Sequence, residues 1–134
     1  MTQEELVKYW VEQSDDNYKS MINMFNAGEY VWSLFVGHLT LGKLLKAYHV
    51  KVKQKKVPYI HDLYKLALEC DLELSEEQKD SFQYITLFNI QARYEDYKRD
   101  FFKKCTKEFA VKNIKRIEEL RNWLKKKMGL LLTD

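Results

Sequence analysis

A single proline, Pro58, and four glycines are the strongest helix-breaking residues in this chain of 134 residues. They leave little material for β-turns or long irregular loops, and a hydrophobic content of 46% excludes a disordered chain. Between these few breaks, apolar residues recur every three or four positions, as they do along one face of a helix. We therefore expect an all-α fold, and the length suits a single domain covering residues 1–134.

The first half of the chain predicts two long helices. Apolar spacing supports the first over residues 4–26, with Thr2 suited to its N-terminus, and Gly28 breaks the pattern. A second helix begins near Tyr30 and ends in the lysine-rich run of residues 51–56. Because the connection is short, the two helices should lie antiparallel.

The second half predicts three further helices. Pro58 suits the first turn of a short helix that includes residues 61–69, and Ser75-Glu76-Glu77-Gln78 is typical of a capping box opening a helix over residues 76–91. An apolar stripe predicts a final helix over residues 102–128, ended by Gly129. The expected architecture is an antiparallel up-and-down bundle of four main helices plus one short helix.

Charge is distributed unevenly along the chain. Residues 1–50 hold six acids against four lysines, whereas residues 93–127 hold thirteen basic residues against six acids. The basic final helix can attract phosphate groups, although a solvated helix face has the same composition.

Other features bear on the cellular compartment and on cofactors. Cys70 and Cys105 lie far apart without a CxxC pair or histidines at metal-ligand spacing, which favours reduced core thiols. No signal peptide and no apolar run of about 20 residues is found, so we expect a cytoplasmic protein without membrane contact. We expect no metal and no cofactor.

Two segments carry candidate ligand contacts. His61 is expected in the first turn of the short helix, where free backbone N–H groups favour a phosphate, or it anchors that helix through a neighbouring backbone group or carboxylate. Arg93 follows the fourth helix, where its guanidinium can hold a phosphate or carboxylate beside the stacking face of Tyr94. Alternatively, it bridges to Glu95, Asp96 or another helix and fixes the chain reversal.

The second helix carries candidate core or dimer contacts. His38 lies on its apolar stripe, which is typical of a core or interface histidine, and Gly42 is expected to permit close approach of another helix or subunit. Trp32 and Phe35 make the helix apolar on more than one side. A homodimer would cover that excess apolar surface.

Three segments together resemble the HEPN domain family: Gly42-Lys43-Leu44-Leu45-Lys46-Ala47, Pro58-Tyr59-Ile60-His61-Asp62-Leu63 and Ala92-Arg93-Tyr94-Glu95-Asp96. The resemblance implies a bundle of antiparallel helices, frequent homodimerisation and, in many bacterial members, pairing with a minimal nucleotidyltransferase. It favours as ligand-binding residues His61, Arg93, Tyr94 and Asp96, together with Lys43 and Lys46. Two positions depart from the family pattern, because Gly42 replaces an acid and Glu95 replaces a proline.

The same resemblance defines what to expect of catalysis. Many HEPN proteins are metal-independent ribonucleases that use an arginine followed four to six residues later by a histidine, but here the last histidine is His61 and the first arginine is Arg93. We therefore expect a non-catalytic binding module for a nucleotide or a nucleotidyltransferase partner, rather than an enzyme. One alternative is an RNA-cleaving toxin with a diverged site built from His61, Arg93 and the basic last helix. Another is a purely structural interaction protein.

Overall fold

The computed structural model describes residues 1–131, which form six α-helices and no strand. The helices are α1 (Gln3–Asn26), α2 (Tyr30–Lys53), α3 (Leu63–Glu69), α4 (Glu76–Gln91), α5 (Glu95–Lys104) and α6 (Lys107–Lys127). This confirms the all-α class. Among the described residues, no helix combines the length and apolar character needed to cross a membrane. The predicted single domain extends to residue 134, and its last three residues lie outside the described part of the chain.

Local capping signals explain where several helices begin and end. The Thr2 hydroxyl accepts a hydrogen bond from the Glu5 backbone N–H at 3.1 Å. Ser75 and Gln78 form the predicted reciprocal capping box at the start of α4. Gly129 follows the C-cap of α6 with a φ of +74°, a conformation that glycine adopts without the usual steric penalty. These three predicted signals are confirmed.

Helix α2 lies at the centre of the molecule. It packs against α1, α3, α4 and α6, and half of its 24 residues are buried. A helix that is apolar on more than one side is stable in such a position because several neighbours cover it. The largest fully buried side chains include Leu34, Leu41, Leu44 and Leu45 of this helix.

Helices α1 and α2 form an antiparallel pair. Near one end of the pair, the Gln3 side-chain amide donates to the Val50 carbonyl at 3.0 Å. Near the other end, the Ser33 hydroxyl donates to the Met21 carbonyl at 2.8 Å. Early residues of α1 therefore meet late residues of α2, as the short connection indicated. The finer prediction, an up-and-down bundle of four main helices, stays a prediction.

Polar contacts join α1 to the last helix. The Tyr18 hydroxyl donates to a Glu118 carboxylate oxygen at 2.5 Å. Asp15 accepts from Arg121 at 3.1 Å and from Lys125 at 2.7 Å. The two basic side chains are mostly buried, so these contacts are less screened by solvent than ordinary surface ion pairs.

The prediction of one continuous final helix over residues 102–128 was wrong. The chain breaks between α5 and α6, where Cys105 has a non-helical ψ of 69°. Thr106 then caps α6, because its hydroxyl accepts from the Phe109 N–H at 3.2 Å. The segment after residue 94 forms the separate helix α5. The described residues therefore contain six helices rather than five.

The predicted start of the short third helix was also wrong. Its N-cap is Asp62, whose carboxylate accepts from the Lys65 N–H at 3.1 Å. Helix α3 therefore begins at Leu63, and both Pro58 and His61 precede it. An aspartate is a strong N-cap, and this local hydrogen bond overrides the preference of proline for a first turn.

Both cysteines are free and buried, as predicted for core thiols. Burial raises the pKa of Cys70 to about 12 and that of Cys105 to about 11. Since the thiolate is the reactive form, neither cysteine is a nucleophile at neutral pH.

The closest approach of helices occurs at Gly37 rather than at Gly42. A Cβ atom added to Gly37 would lie 2.5 Å from Ile117 Cδ1 of α6 and 3.0 Å from Met21 Sδ of α1. A Cβ atom added to Gly42 would lie 3.6 Å from Leu63 Cδ2, which is an ordinary contact. Within the chain the close approach is therefore found at Gly37, which sequence reasoning missed, and the contact of Gly42 with another subunit stays a prediction.

We predict that Gly37→Ala lowers the free energy of unfolding relative to Gly42→Ala by about 1–3 kcal/mol, because only the first overpacks the core. Both substitutions gain the same helix propensity, about 1 kcal/mol, so the difference between them isolates packing. Urea unfolding followed by circular dichroism measures both values. Equal stability of the two variants would contradict the close contact at Gly37.

Candidate functional site

The buried imidazole of His38 lies at the centre of the candidate site. Its ring is 2% exposed, and Nε2 lies 3.0 Å from the backbone carbonyl of His61. Because a carbonyl only accepts, Nε2 carries the proton in the neutral ring. The other nitrogen, Nδ1, is buried and has no hydrogen-bond partner among the described residues.

Burial and neighbouring charges both act on the pKa of His38. Burial is the main cause that lowers the pKa of His38, and the hydrogen bond to the His61 carbonyl opposes it. Electrostatic interactions with His61, Arg93 and Lys46 lower this pKa further. The contact with the His61 carbonyl joins two residues that are 23 positions apart in the sequence.

Arg93 is held by its neighbours but not by an acid. Its Nε donates to the Asn89 carbonyl at 3.0 Å. The guanidinium carbon lies 5.9 Å from the ring centroid of Phe35 and 5.8 Å from that of Tyr94. These contacts orient the planar group while leaving other N–H donors for a ligand.

The acids that follow Arg93 do not neutralise it. Within the described residues, Arg93 forms an ion pair with neither Glu95 nor Asp96, and Glu95 pairs with Lys98 at 3.7 Å. Asp96 is exposed in the first turn of α5, and no described contact joins it to His38, His61 or Arg93. The predicted bridge from Arg93 to one of these acids is therefore not observed.

Lys43 and Lys46 extend the positive charge along α2. Lys46 Nζ lies 5.1 Å from the ring centroid of Trp10, and burial, followed by the charge of Lys43, lowers its pKa. Lys43 Nζ lies 3.5 Å from Gln13 Oε1. Neither lysine has a carboxylate partner in the part of the chain that the structure describes. We call Lys43, Lys46, His61 and Arg93 the cationic surface.

His61 lies before helix α3, not in its first turn as the sequence had predicted. It is exposed and precedes the N-cap Asp62, so the free N–H groups of α3 do not surround it. Its ring packs edge-on against Tyr59, with the ring centroids 5.3 Å apart. The predicted position in a first helical turn was wrong, whereas the His61 backbone carbonyl anchors His38.

The aromatic residues predicted to cover a dimer contact are partly exposed. Trp32 is 42% exposed and packs edge-on against Phe35 at 5.7 Å between ring centroids. Trp32 also lines a surface groove of about 850 Å³ between the start of α2 and α5, together with Phe102, which is 73% exposed. An apolar surface is therefore present on this side of α2.

Sequence reasoning missed three contacts at this site, made by Trp10, Tyr59 and Asn89. The antiparallel register that pairs Gln3 with Val50 also brings Trp10 opposite Lys46, so a register argument could have found it. No comparable signal identifies the carbonyl of Asn89. Within residues 1–131, no group of three or more His, Cys, Asp and Glu side chains could hold a metal ion.

Comparison with known proteins adds one finding. The family model described as HEPN domain matches residues 7–127, from the start of α1 to the end of α6. No curated protein and no solved structure matches the chain. The match confirms the resemblance carried by the three segments around Gly42, His61 and Arg93.

We predict that His38 titrates below 6.5, and that its pKa rises in Arg93→Gln because one nearby positive charge is lost. The unfolded chain then binds this proton first, so the free energy of unfolding falls as the pH drops through 6.5 towards the folded pKa. Titration of the ring resonances by NMR measures this value separately from that of His49, whose pKa burial also lowers. Arg99→Gln is the control, and an identical His38 pKa in wild type and Arg93→Gln would refute the arrangement.

Proposed function

We propose that this chain, which belongs to the HEPN domain family, is a non-catalytic binding module that holds the phosphate groups of a nucleotide. The observation that carries the proposal is the cationic surface, because its Lys43, Lys46 and Arg93 side chains form no ion pair with a carboxylate among the described residues. Unpaired positive charges repel one another, and a bound phosphate would relieve that repulsion.

The chemical groups of the surface suit a phosphate and a base. Arg93 offers a planar set of donors that can bind phosphate oxygens in pairs, and Lys43 and Lys46 supply point charges. Tyr94 and Trp10 lie beside these cations and offer aromatic faces for a nucleobase. Asp96 remains a proposed contact through its nearness to Arg93 in sequence alone.

Three features of the chain support binding without catalysis: the order of its arginines and histidines, the contact made by His38, and the burial of both thiols. No arginine precedes a histidine, so the ribonuclease motif of the family is absent from the sequence. His38 Nε2 is engaged by the His61 carbonyl, and the pKa of each buried thiol is raised by burial. The pairing of many family members with a minimal nucleotidyltransferase supports such a protein as a partner.

One observation favours the ribonuclease alternative. His61 and Arg93 both act on the pKa of His38, whose Nε2 contacts the His61 carbonyl, and their order in the chain is the reverse of that in the family's motif. RNA cleavage by such a pair would need an exposed His61 ring, which is present. A purely structural role remains the third reading, supported by the anchoring of Arg93 on Asn89 and Phe35.

We predict that a nucleoside mono-, di- or triphosphate raises the melting temperature, and that Arg93→Gln weakens its binding about tenfold or more through loss of charged hydrogen bonds. Calorimetric titration measures the affinity, and added salt should weaken it. Arg99→Gln is the matched control, since Arg99 is an exposed arginine that does not act on His38.

The same preparation separates the three functions. RNA cleavage that His61→Ala abolishes would replace the binding module with a nuclease. Absence of both nucleotide binding and cleavage in the wild type would contradict both proposals. If Arg93→Gln then also unfolded at a lower temperature than the wild type, the structural role would be favoured.

For the proposed homodimer, we predict that Trp32→Glu converts a dimer into a monomer, because it places a charge on the exposed apolar side of α2. Light scattering coupled to size-exclusion chromatography measures the mass. Leu87→Glu on α4 is the control, since Leu87 is 43% exposed and Trp32 is 42% exposed. A monomeric wild type, or a dimer that survives Trp32→Glu, would remove this surface from the proposal.

A further inference from the structure

The C-terminal ends of α2 and α6 meet at one end of the molecule. The Lys51 side chain donates from Nζ to the Met128 backbone carbonyl at 2.6 Å, across 77 positions of sequence. The start of α1 lies at the same end, because the Gln3 side-chain amide donates to the Val50 carbonyl at 3.0 Å and to the Lys51 carbonyl at 3.2 Å. Packing therefore joins the lysine-rich run of residues 51–56 to the basic end of the last helix.

This end of the molecule is rich in positive charge. Residues 51–61 and 121–131 together contain eight basic residues and no acid. Acids from other segments form ion pairs with some of them, which are Asp71 with Lys53, and Asp15 with Arg121 and Lys125. The basic residues without an ion pair in the part of the chain that the structure describes include Lys51, Lys55, Lys56 and Lys127. Helix α1 brings the opposing charges of Glu4 and Glu5 in its first turn, and these four lysines outnumber them.

Exposed aliphatic side chains lie among these lysines. Val52 follows Lys51 in α2, and Leu130 and Leu131 follow the end of α6; the three side chains are between 40% and 47% exposed. The Leu130 N–H donates to the Lys125 carbonyl at 2.9 Å, which ties this leucine to the last turn of the helix. The lysine–leucine surface is our name for Lys51, Val52, Lys55, Lys56, Lys127, Leu130 and Leu131.

Lysines and aliphatic side chains together suit the surface of an anionic lipid bilayer. Ammonium groups are attracted to a negatively charged leaflet, and exposed aliphatic side chains enter the boundary between headgroups and acyl chains. Single-stranded RNA also attracts lysines, but it is held by stacking of its bases on aromatic rings and gains little from aliphatic side chains. The nearby aromatic residues, Tyr59 in the loop and Trp123 beneath the Lys127 ammonium at 5.4 Å, suit either partner. The aliphatic side chains therefore favour the lipid.

We propose that the lysine–leucine surface binds an anionic membrane surface peripherally. Its four lysines lie against the phospholipid headgroups, and Val52, Leu130 and Leu131 insert beside them. Either contribution alone binds a bilayer weakly, and their combination strengthens the attachment. The expectation of no membrane contact depended on the absence of a signal peptide and of a long apolar run, and a peripheral contact needs neither.

Vesicle co-sedimentation of the purified chain tests the proposal, with mixed phosphatidylcholine–phosphatidylserine vesicles and with vesicles of phosphatidylcholine alone. We expect binding to the mixed vesicles that added salt weakens, and binding about tenfold weaker or worse to the neutral vesicles. Single-stranded RNA at the same phosphate concentration is the competing partner. Equal binding to both kinds of vesicle, no binding to either, or RNA binding without vesicle binding would overturn the proposal.

Two double variants separate the charged and the apolar contributions. Lys55→Gln combined with Lys56→Gln, and Leu130→Ser combined with Leu131→Ser, should each weaken binding to the mixed vesicles about tenfold or more. All four side chains are exposed, so neither double variant disturbs the core. Undiminished binding by the lysine variant would place the lipid elsewhere, and undiminished binding by the leucine variant would refute insertion.

Matched controls remove the same groups from other surfaces. Lys112→Gln combined with Lys115→Gln removes two exposed lysines from the middle of α6, and Leu87→Ser removes a leucine of α4 that is comparably exposed. Both should bind vesicles as wild type does, and so should Arg93→Gln on the cationic surface. A loss in these controls equal to that in the two double variants would show non-specific attraction and would contradict the assigned surface.

Discussion

The fold depends on the absence of a side chain at Gly37. Ile117 of α6 and Met21 of α1 both pack against the bare backbone of α2 at this point. Three helices can meet there because no Cβ atom separates them. The next residue, His38, contacts the His61 carbonyl just before α3, so the close helix packing and the candidate site lie side by side on α2.

Much of the fold could be predicted because its signals are local. Thr2 and Ser75 cap helices through hydrogen bonds to residues three positions away, and Gly129 ends α6 through its own backbone conformation. The break at Cys105 was missed because the apolar stripe continues across it with helical spacing. Thr106, followed by an acid at Glu108, was a local signal that could have revealed it. Gly37 could not be told from Gly42 because only the positions of other helices distinguish them.

The candidate site was harder to predict than the fold. His61 and Arg93 were identified as ligand contacts, but the contact of His38 with the His61 carbonyl depends on tertiary packing that joins two distant segments. Asp62 is the N-cap of α3, so His61 lies outside the helix. Arg93 contacts the Asn89 carbonyl and the Phe35 ring instead of the neighbouring acids. These outcomes are set by competition among several polar groups, which a linear motif does not describe.

The contacts between α1 and α6 have a consequence for the order of assembly during translation. Tyr18 and Glu118 are 100 residues apart in the sequence. Asp15 is separated from its partners Arg121 and Lys125 by 106 and 110 residues. On the ribosome, α1 and α2 can pair as soon as both emerge, since their contacts are near in sequence. Ile117 of α6 can pack against Gly37 only after α6 has been synthesised. Until then, the paired helices α1 and α2 expose the apolar surface around Gly37, which chaperones can bind.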